Sequence, residues 1–164
     1  MRIPVFVSCP TALSPTQEAQ RKVILDMLDQ MNLEPRALGR SDYPTDLPLR
    51  EVMVIARHCA GGVILGFNQF TATAGTSKPG TDREATVSTP TMFPTPWNHL
   101  EAGILFSLKL PLLVFREEGV SGGVFDHGVT DVFVHPMPEP TGREHELKEV
   151  FLKWRGRVGA VYFA

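Results

Sequence analysis

The chain has 164 residues, of which 43% are hydrophobic and 21% are charged, and its formal net charge at pH 7 is −2. This length suits one domain, so we expect residues 1–164 to form a single domain. The small net charge gives no electrostatic reason to expect nucleic acid or an anionic membrane as a partner. No apolar run approaches the roughly 20 residues that span a bilayer, and the first residues have the pattern of a strand rather than of a signal peptide. We therefore expect a cytoplasmic protein.

Short apolar runs alternate with amphipathic stretches from the start of the chain. The run from Ile3 to Ser8 is apolar on both faces, which is typical of a strand buried in a parallel sheet. The next stretch predicts a helix, with Ser14 as its N-cap and Pro15 in its first position. The elements predicted after it are a short strand over 35–38, a polar turn over 40–45, an amphipathic helix over 49–56 and a strand over 62–67.

Residues 68–95 differ from the rest of the chain. They are rich in Thr, Gly and Pro and show no periodicity, which predicts a long loop of the kind that forms a lid or a binding loop or stays disordered. A helical pattern resumes with Thr95 as N-cap and Pro96 in the first position, and it runs through Leu108. The last predicted elements are a strand over 111–115, a strand over 132–134 and a helix over 143–157.

The alternation of strands and helices predicts an α/β fold with a parallel sheet covered on both faces. Five strands favour a flavodoxin-like three-layer sandwich with strand order 2-1-3-4-5. In such sheets a ligand lies at the carboxyl ends of the strands, where the winding reverses between strands 1 and 3. The residues that we expect to bind a substrate there are Ser8, Cys9 and Pro10 after the first strand, Phe67, Asn68 and Gln69 after the third, and Trp97 and Asn98 at the start of the third helix.

Glu101, in the same helix, is the residue at this edge that suits acid, base or nucleophilic catalysis. Helical spacing places it on one face with Trp97 and Asn98. A carboxylate facing a crevice is partly desolvated, which raises its pKa. The alternative is a solvated glutamate near the positive end of the helix dipole. The residues that we expect to pack on the sheet from the opposite face are Leu100, Ile104 and Ser107.

The sequence lacks the common patterns of metal and cofactor sites. Its five histidines are scattered, and none forms a metal-ligand spacing with a cysteine or a carboxylate. Neither a phosphate loop nor a dinucleotide-binding Gly-x-Gly-x-x-Gly is present, and no Gly-x-Ser-x-Gly suggests a hydrolase elbow. We therefore expect neither a bound metal nor a bound cofactor.

Several segments, in their order along the chain, resemble the superfamily that joins Toll/interleukin-1 receptor (TIR) domains to nucleoside 2-deoxyribosyltransferases. Pro-Val-Phe-Val-Ser-Cys-Pro over 4–10 is similar to the first strand of both branches. The helix over 49–58, running into Gly-Val-Ile-Leu over 62–65, resembles their helix before the third strand. The match covers most of the chain to about Phe115.

Two further motifs carry the likeness. Trp-Asn-His-Leu-Glu over 97–101 resembles the Trp-Cys-x-x-Glu helix of TIR domains, with Asn98 in place of the cysteine that many of them have. Residues 101–106, continuing to Lys-Leu-Pro-Leu-Leu over 109–113, resemble the Glu-x-Gly-x-Ala and Gly-Lys-Pro segment of the transferases. The Asp-Ser-Gly loop that is typical of the transferases is absent.

In those families the matched glutamate acts at the anomeric carbon of a ribosyl group, so the resemblance implies a catalytic role for Glu101. Cleavage of an N-glycosidic bond develops a sugar cation, which a carboxylate stabilises or traps. The resemblance implies hydrolysis or transfer at this bond in a small-molecule nucleotide, with NAD as a substrate rather than a cofactor. The alternatives are a nucleoside 2-deoxyribosyltransferase or nucleoside hydrolase, and a non-catalytic nucleotide-sensing or assembly module. The resemblance also implies a homo-oligomer and, for the TIR branch, a role in antiviral defence.

Overall fold

The computed structural model describes residues 1–39, 47–130, 132–142 and 144–164. The helices in these ranges are α1 (Pro15–Gln30), α2 (Pro48–Arg57), α3 (Pro96–Ser107) and α4 (Glu144–Tyr162), with a 3-10 turn at Gly123–Phe125. The strands are β1 (Ile3–Ser8), β2 (Leu33–Arg36), β3 (Gly62–Gly66), β4 (Phe70–Ala72), β5 (Gly75–Ser77), β6 (Ala85–Val87), β7 (Thr91–Phe93), β8 (Leu112–Arg116) and β9 (Val134–Pro136).

Five of these strands form a parallel sheet in the order β2-β1-β3-β8-β9. Because β8 and β9 are the fourth and fifth strands of this sheet along the chain, the observed order is the predicted order 2-1-3-4-5. The flavodoxin-like α/β fold is therefore confirmed. None of the helices in the described parts of the chain combines the length and the apolar character needed to cross a bilayer.

Two hydrophobic clusters cover the sheet, one on each face. The first, on what we call the α1 face, joins the sheet to α1 and α4, and the second, on the α3 face, joins it to α2 and α3. Successive residues of a strand point to opposite faces. In β1, Val5 and Val7 pack on the α1 face and Phe6 packs on the α3 face. Ser8, two residues after Phe6, is therefore directed toward α3.

Capping groups define where two of the helices begin. Ser14 forms a reciprocal capping box with Gln17: the Ser14 hydroxyl accepts from the Gln17 amide at 3.2 Å, and the Gln17 side chain accepts from the Ser14 amide at 3.0 Å. Thr95 caps α3, since its hydroxyl accepts from the Trp97 amide at 3.4 Å. Both helices have proline in their first position, as predicted from the sequence.

Most predicted elements of the sheet and its helices lie within a few residues of their expected bounds. β2 begins at Leu33, two residues before the predicted start at 35, and β9 begins at Val134, two residues after the predicted start at 132. α4 continues beyond its predicted end at 157 to Tyr162. The predicted turn over 40–45 and Arg143, the predicted first residue of α4, lie outside the described residues.

The segment predicted as a long loop over 68–95 contains four short strands. Here β4 pairs with β7 and β5 pairs with β6, both antiparallel, and together they form an extended ribbon over residues 70–93 that we call the arm. Phe70 and Phe93, at its base, are 66% and 45% exposed, with their ring centroids 6.3 Å apart. Most residues of this ribbon are exposed, and Met92 is the residue that packs against the cluster on the α3 face. A ribbon that buries so little of its surface lacks the alternation that identifies a half-buried strand.

Candidate functional site

The candidate site lies at the carboxyl end of β1, where the first two turns of α3 cross the sheet. Ser8 is the last residue of β1 and is fully buried. It pairs in register with Ile64 of β3. The structure brings Ser8 together with Asn98 and Glu101, all three of which were predicted from the sequence as site residues.

The helix face that packs on the sheet differs from the predicted one. The buried residues of α3 are Asn98, Glu101, Ala102 and Leu105. Leu100 is 48% exposed and Ser107 is exposed, so the expectation that these two pack on the sheet was wrong. Ile104 is half-buried and packs against the cluster on the α3 face, as predicted. The spacing 98, 101, 102 and 105 is itself that of one helix face. The sequence assigned the packing face to the apolar residues, whereas the fold places two polar residues in it.

Asn98 links α3 to the end of β1 through hydrogen bonds. Its Nδ2 donates to Ser8 Oγ at 2.8 Å and reaches the Ser8 carbonyl oxygen at 3.4 Å. Its Oδ1 is buried and has no hydrogen-bond partner among the described residues. The Ser8 hydroxyl in turn is hydrogen-bonded to the Glu101 carboxyl group. These three side chains therefore form a connected polar group inside the α3 face.

Burial raises the pKa of Glu101 from 4.5 to about 7, and the hydrogen bond from Ser8 opposes this increase. Only 8% of the residue is exposed. Glu101 is the sixth residue of α3, beyond the first turn where the helix dipole acts most strongly. The expected desolvated carboxyl group is present, and the alternative of a solvated surface glutamate is excluded. At neutral pH the group exists in both protonation states, which suits proton transfer as well as charge stabilisation.

The other residues predicted after β1 and at the start of α3 have different surroundings. Cys9 is half-buried and Pro10 is buried, directly after Ser8. Trp97 is 40% exposed and does not share the buried face with Glu101. Its ring is accessible at the same end of α3, but no described contact joins it to the carboxyl group.

The three residues predicted after β3 do not join Glu101. Phe67 is fully buried in the cluster on the α1 face, on the other side of the sheet. Asn68 and Gln69 fix the base of the arm: the Gln69 amide donates to Phe93 O at 2.8 Å, and its side chain donates to Ala12 O at 3.1 Å. Asn68 Nδ2 donates to Thr71 Oγ1 at 2.8 Å, whereas Asn68 Oδ1 is buried and has no hydrogen-bond partner among the described residues.

A carboxylate that sequence reasoning did not assign, Glu117, holds the end of β3. Its Oε2 accepts from the Asn68 amide at 2.7 Å and from Gln17 Nε2 at 2.9 Å. Gln17 Nε2 also reaches Asn68 O at 3.2 Å. The signal available in the sequence was the position of both residues at strand ends. Glu117 directly follows β8, and Asn68 comes two residues after β3. Its partner on α1 is 100 residues away along the chain, which no local pattern indicates.

A cleft of about 1050 Å³ lies on the α1 face, between α1, β9 and the segment that leads into α4. Phe115 and His135 contribute to its wall, with ring centroids 5.6 Å apart. Burial lowers the pKa of His135. Glu101 does not line this cleft, so the cleft and the buried carboxyl group are separate features.

Within the described ranges, no three side chains of His, Cys, Asp or Glu lie close enough together to hold a metal ion. Comparisons with protein-family models, with curated proteins and with solved structures gave no match to this chain. The likeness to TIR domains and deoxyribosyltransferases therefore stays a prediction from its motifs.

Proposed function

We propose that this protein hydrolyses or transfers at the N-glycosidic bond of NAD or a related nucleotide, and that Glu101 acts at the anomeric carbon. The observation that carries the proposal is a buried carboxyl group, at the carboxyl end of β1, with its pKa raised to about 7. Perturbed carboxyl groups at such an edge are typical of catalytic sites. The motif likeness supplies the reaction class, since the fold by itself does not determine function.

The chemistry needs one ionised carboxylate. As the bond between C1′ and the base nitrogen breaks, the bonding electrons pass to the base, and positive charge develops on the sugar. The carboxylate stabilises this cation or bonds to C1′. Water, or an acceptor nucleophile, then bonds to C1′ and loses its proton. Nicotinamide leaves NAD as a neutral molecule, because its ring nitrogen is cationic beforehand, so it requires no general acid.

A second candidate is a nucleoside 2-deoxyribosyltransferase or nucleoside hydrolase. Most nucleosides are uncharged, so their base leaves more readily when a proton is supplied to it. The raised pKa of Glu101 favours this candidate as well, because part of the carboxyl group is protonated at neutral pH and is able to donate. A third candidate, a non-catalytic nucleotide-sensing or assembly module, is favoured by the exposed aromatic pair Phe70 and Phe93 on the arm.

The deciding experiment compares the wild-type protein with Glu101→Gln, which keeps the shape of the side chain, and with Glu118→Gln as a control. Glu118 is exposed and follows β8. Release of nicotinamide from NAD and of free base from nucleosides is measured by chromatography over pH 5 to 9. Loss of a group that acts at the reacting centre lowers the rate by roughly 10²- to 10⁴-fold, whereas the control keeps its rate.

Each candidate predicts its own result. NAD cleavage that increases with pH through about 7, and falls in Glu101→Gln, supports the main proposal. Turnover of nucleosides without turnover of NAD supports the second candidate. Undiminished turnover in Glu101→Gln contradicts both enzymatic proposals. The sensing module is supported if the wild type and Glu101→Gln both bind a nucleotide tightly and neither turns it over. Measurement over a range of protein concentrations tests the proposed homo-oligomer. A role in antiviral defence is a proposal that rests on the motif likeness, and a cytoplasmic location is a proposal that rests on the pattern of the sequence.

A further inference from the structure

We infer that Asn98 is a positioning residue: its amide fixes the Ser8 hydroxyl so that this hydroxyl donates its single hydrogen to the Glu101 carboxylate. The consequence for catalysis rests on the proposed function, whereas the hydrogen-bonded contact does not depend on it.

The direction of each hydrogen bond follows from the chemistry of the groups. Asn98 Nδ2 is a donor only, so Ser8 Oγ accepts the 2.8 Å hydrogen bond between them. A hydroxyl has one hydrogen. Glu101 lies three residues after Asn98 on the same buried face of α3, which places its carboxyl group beside Ser8. Because Ser8 Oγ already accepts from the amide, its hydrogen is directed to this neighbouring carboxyl group, whose pKa it lowers. All three side chains are buried, so water does not readily take over any of these hydrogen bonds.

The orientation of the Asn98 amide is also determined. Nδ2 lies 3.4 Å from the carbonyl oxygen of Ser8. The reversed amide would place Oδ1 against that carbonyl, with two acceptors facing each other. The observed orientation leaves Oδ1 buried and, among the described residues, without a donor, which is rare in folded proteins. The donor end of the amide is therefore the end that faces Ser8, and Oδ1 is the end without a partner.

We call the hydrogen-bonded chain of Asn98, Ser8 and Glu101 the relay. Substitution of Ser8 or Asn98 by an uncharged residue leaves the other charged residues around α3 in place. Neither β1 nor β3 contains a charged residue. Among the described residues, the titratable side chains other than Glu101 on α3, on α2, on β8 and on the 3-10 turn with its C-cap are His99, Arg50, Glu51, Arg57, Arg116 and Asp126. Arg116 donates to Phe125 O at 2.9 Å, and Asp126 accepts from the Gly122 amide at 2.8 Å. A shift of the Glu101 pKa between variants at Ser8 and Asn98 therefore reports the relay.

A double-mutant cycle separates positioning from mere packing. We compare Ser8→Ala, Asn98→Leu and the double variant by titrating the glutamate carboxyl carbons with ¹³C NMR, using Glu101→Gln to assign the resonance. Loss of the Ser8 donor raises the Glu101 pKa by about one unit. Asn98→Leu raises it in the same direction by less, because the hydroxyl remains but is free to rotate. Since Asn98 acts through Ser8, the double variant shows the shift of Ser8→Ala alone.

Asn98→Asp provides a second route if Asn98→Leu does not fold. Its carboxylate accepts the Ser8 hydrogen and withdraws it from Glu101, so the Glu101 pKa rises here too. Leu100→Asp, at a half-exposed position of the same helix, controls for the added charge and gives a smaller shift. A Glu101 pKa that is unchanged by both Asn98 variants, or shifts that simply add in the double variant, would overturn the inference.

The two proposals fail in different ways. Under the proposed function, Asn98→Leu lowers kcat for NAD below pH 7 more than it changes KM, and raising the pH restores the rate. If the NMR cycle is non-additive but no N-glycosidic bond is cleaved, the relay stands and the proposed function fails. If turnover depends on Glu101 but the cycle is additive, the proposed function stands and the relay fails.

Discussion

Replacement of Glu101 by glutamine should stabilise the folded protein in neutral and alkaline solution. The pKa of Glu101 is raised from 4.5 to about 7 in the folded state. Between these pH values the folded protein keeps a proton that the unfolded chain releases, so the free energy of unfolding decreases as the pH rises. The destabilisation is absent below pH 4.5 and complete above about pH 7. Glutamine does not ionise, and its side-chain oxygen still accepts from Ser8.

The size of the effect follows from the shift in the pKa of Glu101. A shift from 4.5 to about 7 corresponds to about 3 kcal/mol, at about 1.4 kcal/mol for each unit. Part of this cost is already present in the wild type at pH 5. The difference in free energy of unfolding between the variant and the wild type should therefore increase by roughly 2 to 3 kcal/mol, in favour of the variant, between pH 5 and pH 8. This gain is large compared with most single substitutions, which destabilise.

Urea denaturation at pH 5 and pH 8, followed by circular dichroism, measures the free energy of unfolding of both proteins. Glu118→Gln removes a carboxylate at an exposed position, and its difference from the wild type should be similar at the two pH values. If the difference between Glu101→Gln and the wild type is also the same at both pH values, Glu101 is not a desolvated carboxyl group. That result would remove the physical basis of the candidate site without any knowledge of the substrate.

Two further predictions concern the sheet and the arm. In Gly66→Ala the new methyl group would overlap the Phe125 ring. The free energy of unfolding, measured by urea denaturation, should therefore fall by roughly 1–3 kcal/mol. An unchanged free energy of unfolding would show that the ring moves freely. In Glu117→Ala the backbone amide of Asn68 loses its hydrogen-bond acceptor. Hydrogen exchange of this amide should therefore accelerate roughly tenfold or more relative to amides within β3. Unchanged protection of the Asn68 amide would mean that Glu117 does not hold the base of the arm.

The sheet and its helices were predictable because their signals are local. Buried parallel strands are short apolar runs, and Ser14 and Thr95, each followed by proline, identify helix starts without reference to the rest of the chain. The order of the strands was then expected from the flavodoxin-like pattern of five-stranded, doubly wound sheets. The arm was not predictable in this way, because its strands are short, pair mainly with each other and are largely exposed. Met92 is an exception, since it bridges to Val120 and packs against the cluster on the α3 face.

The candidate site was predicted in part, for a related reason. The carboxyl ends of the strands place Ser8 and the start of α3 at one edge, and this rule brought Ser8, Asn98 and Glu101 together correctly. It does not specify on which face of the sheet a side chain lies. Phe67 was therefore expected beside the ligand, although it packs on the α1 face. The alternation along β1 carried a usable signal, because Phe6 and Ser8 share a face.

The energetic cost of Glu101 is itself an argument for its function. A domain of this kind has a free energy of unfolding of about 5–15 kcal/mol, so an ionised carboxyl group that costs about 3 kcal/mol takes a considerable part of it. The helix dipole offers little compensation at the sixth residue of α3, and the Ser8 hydroxyl compensates only in part. A glutamine would fill the same space and accept the same hydrogen bond without this cost. Packing therefore does not explain a glutamate at this position, and a carboxyl group that titrates near neutral pH is what the proposed reaction requires.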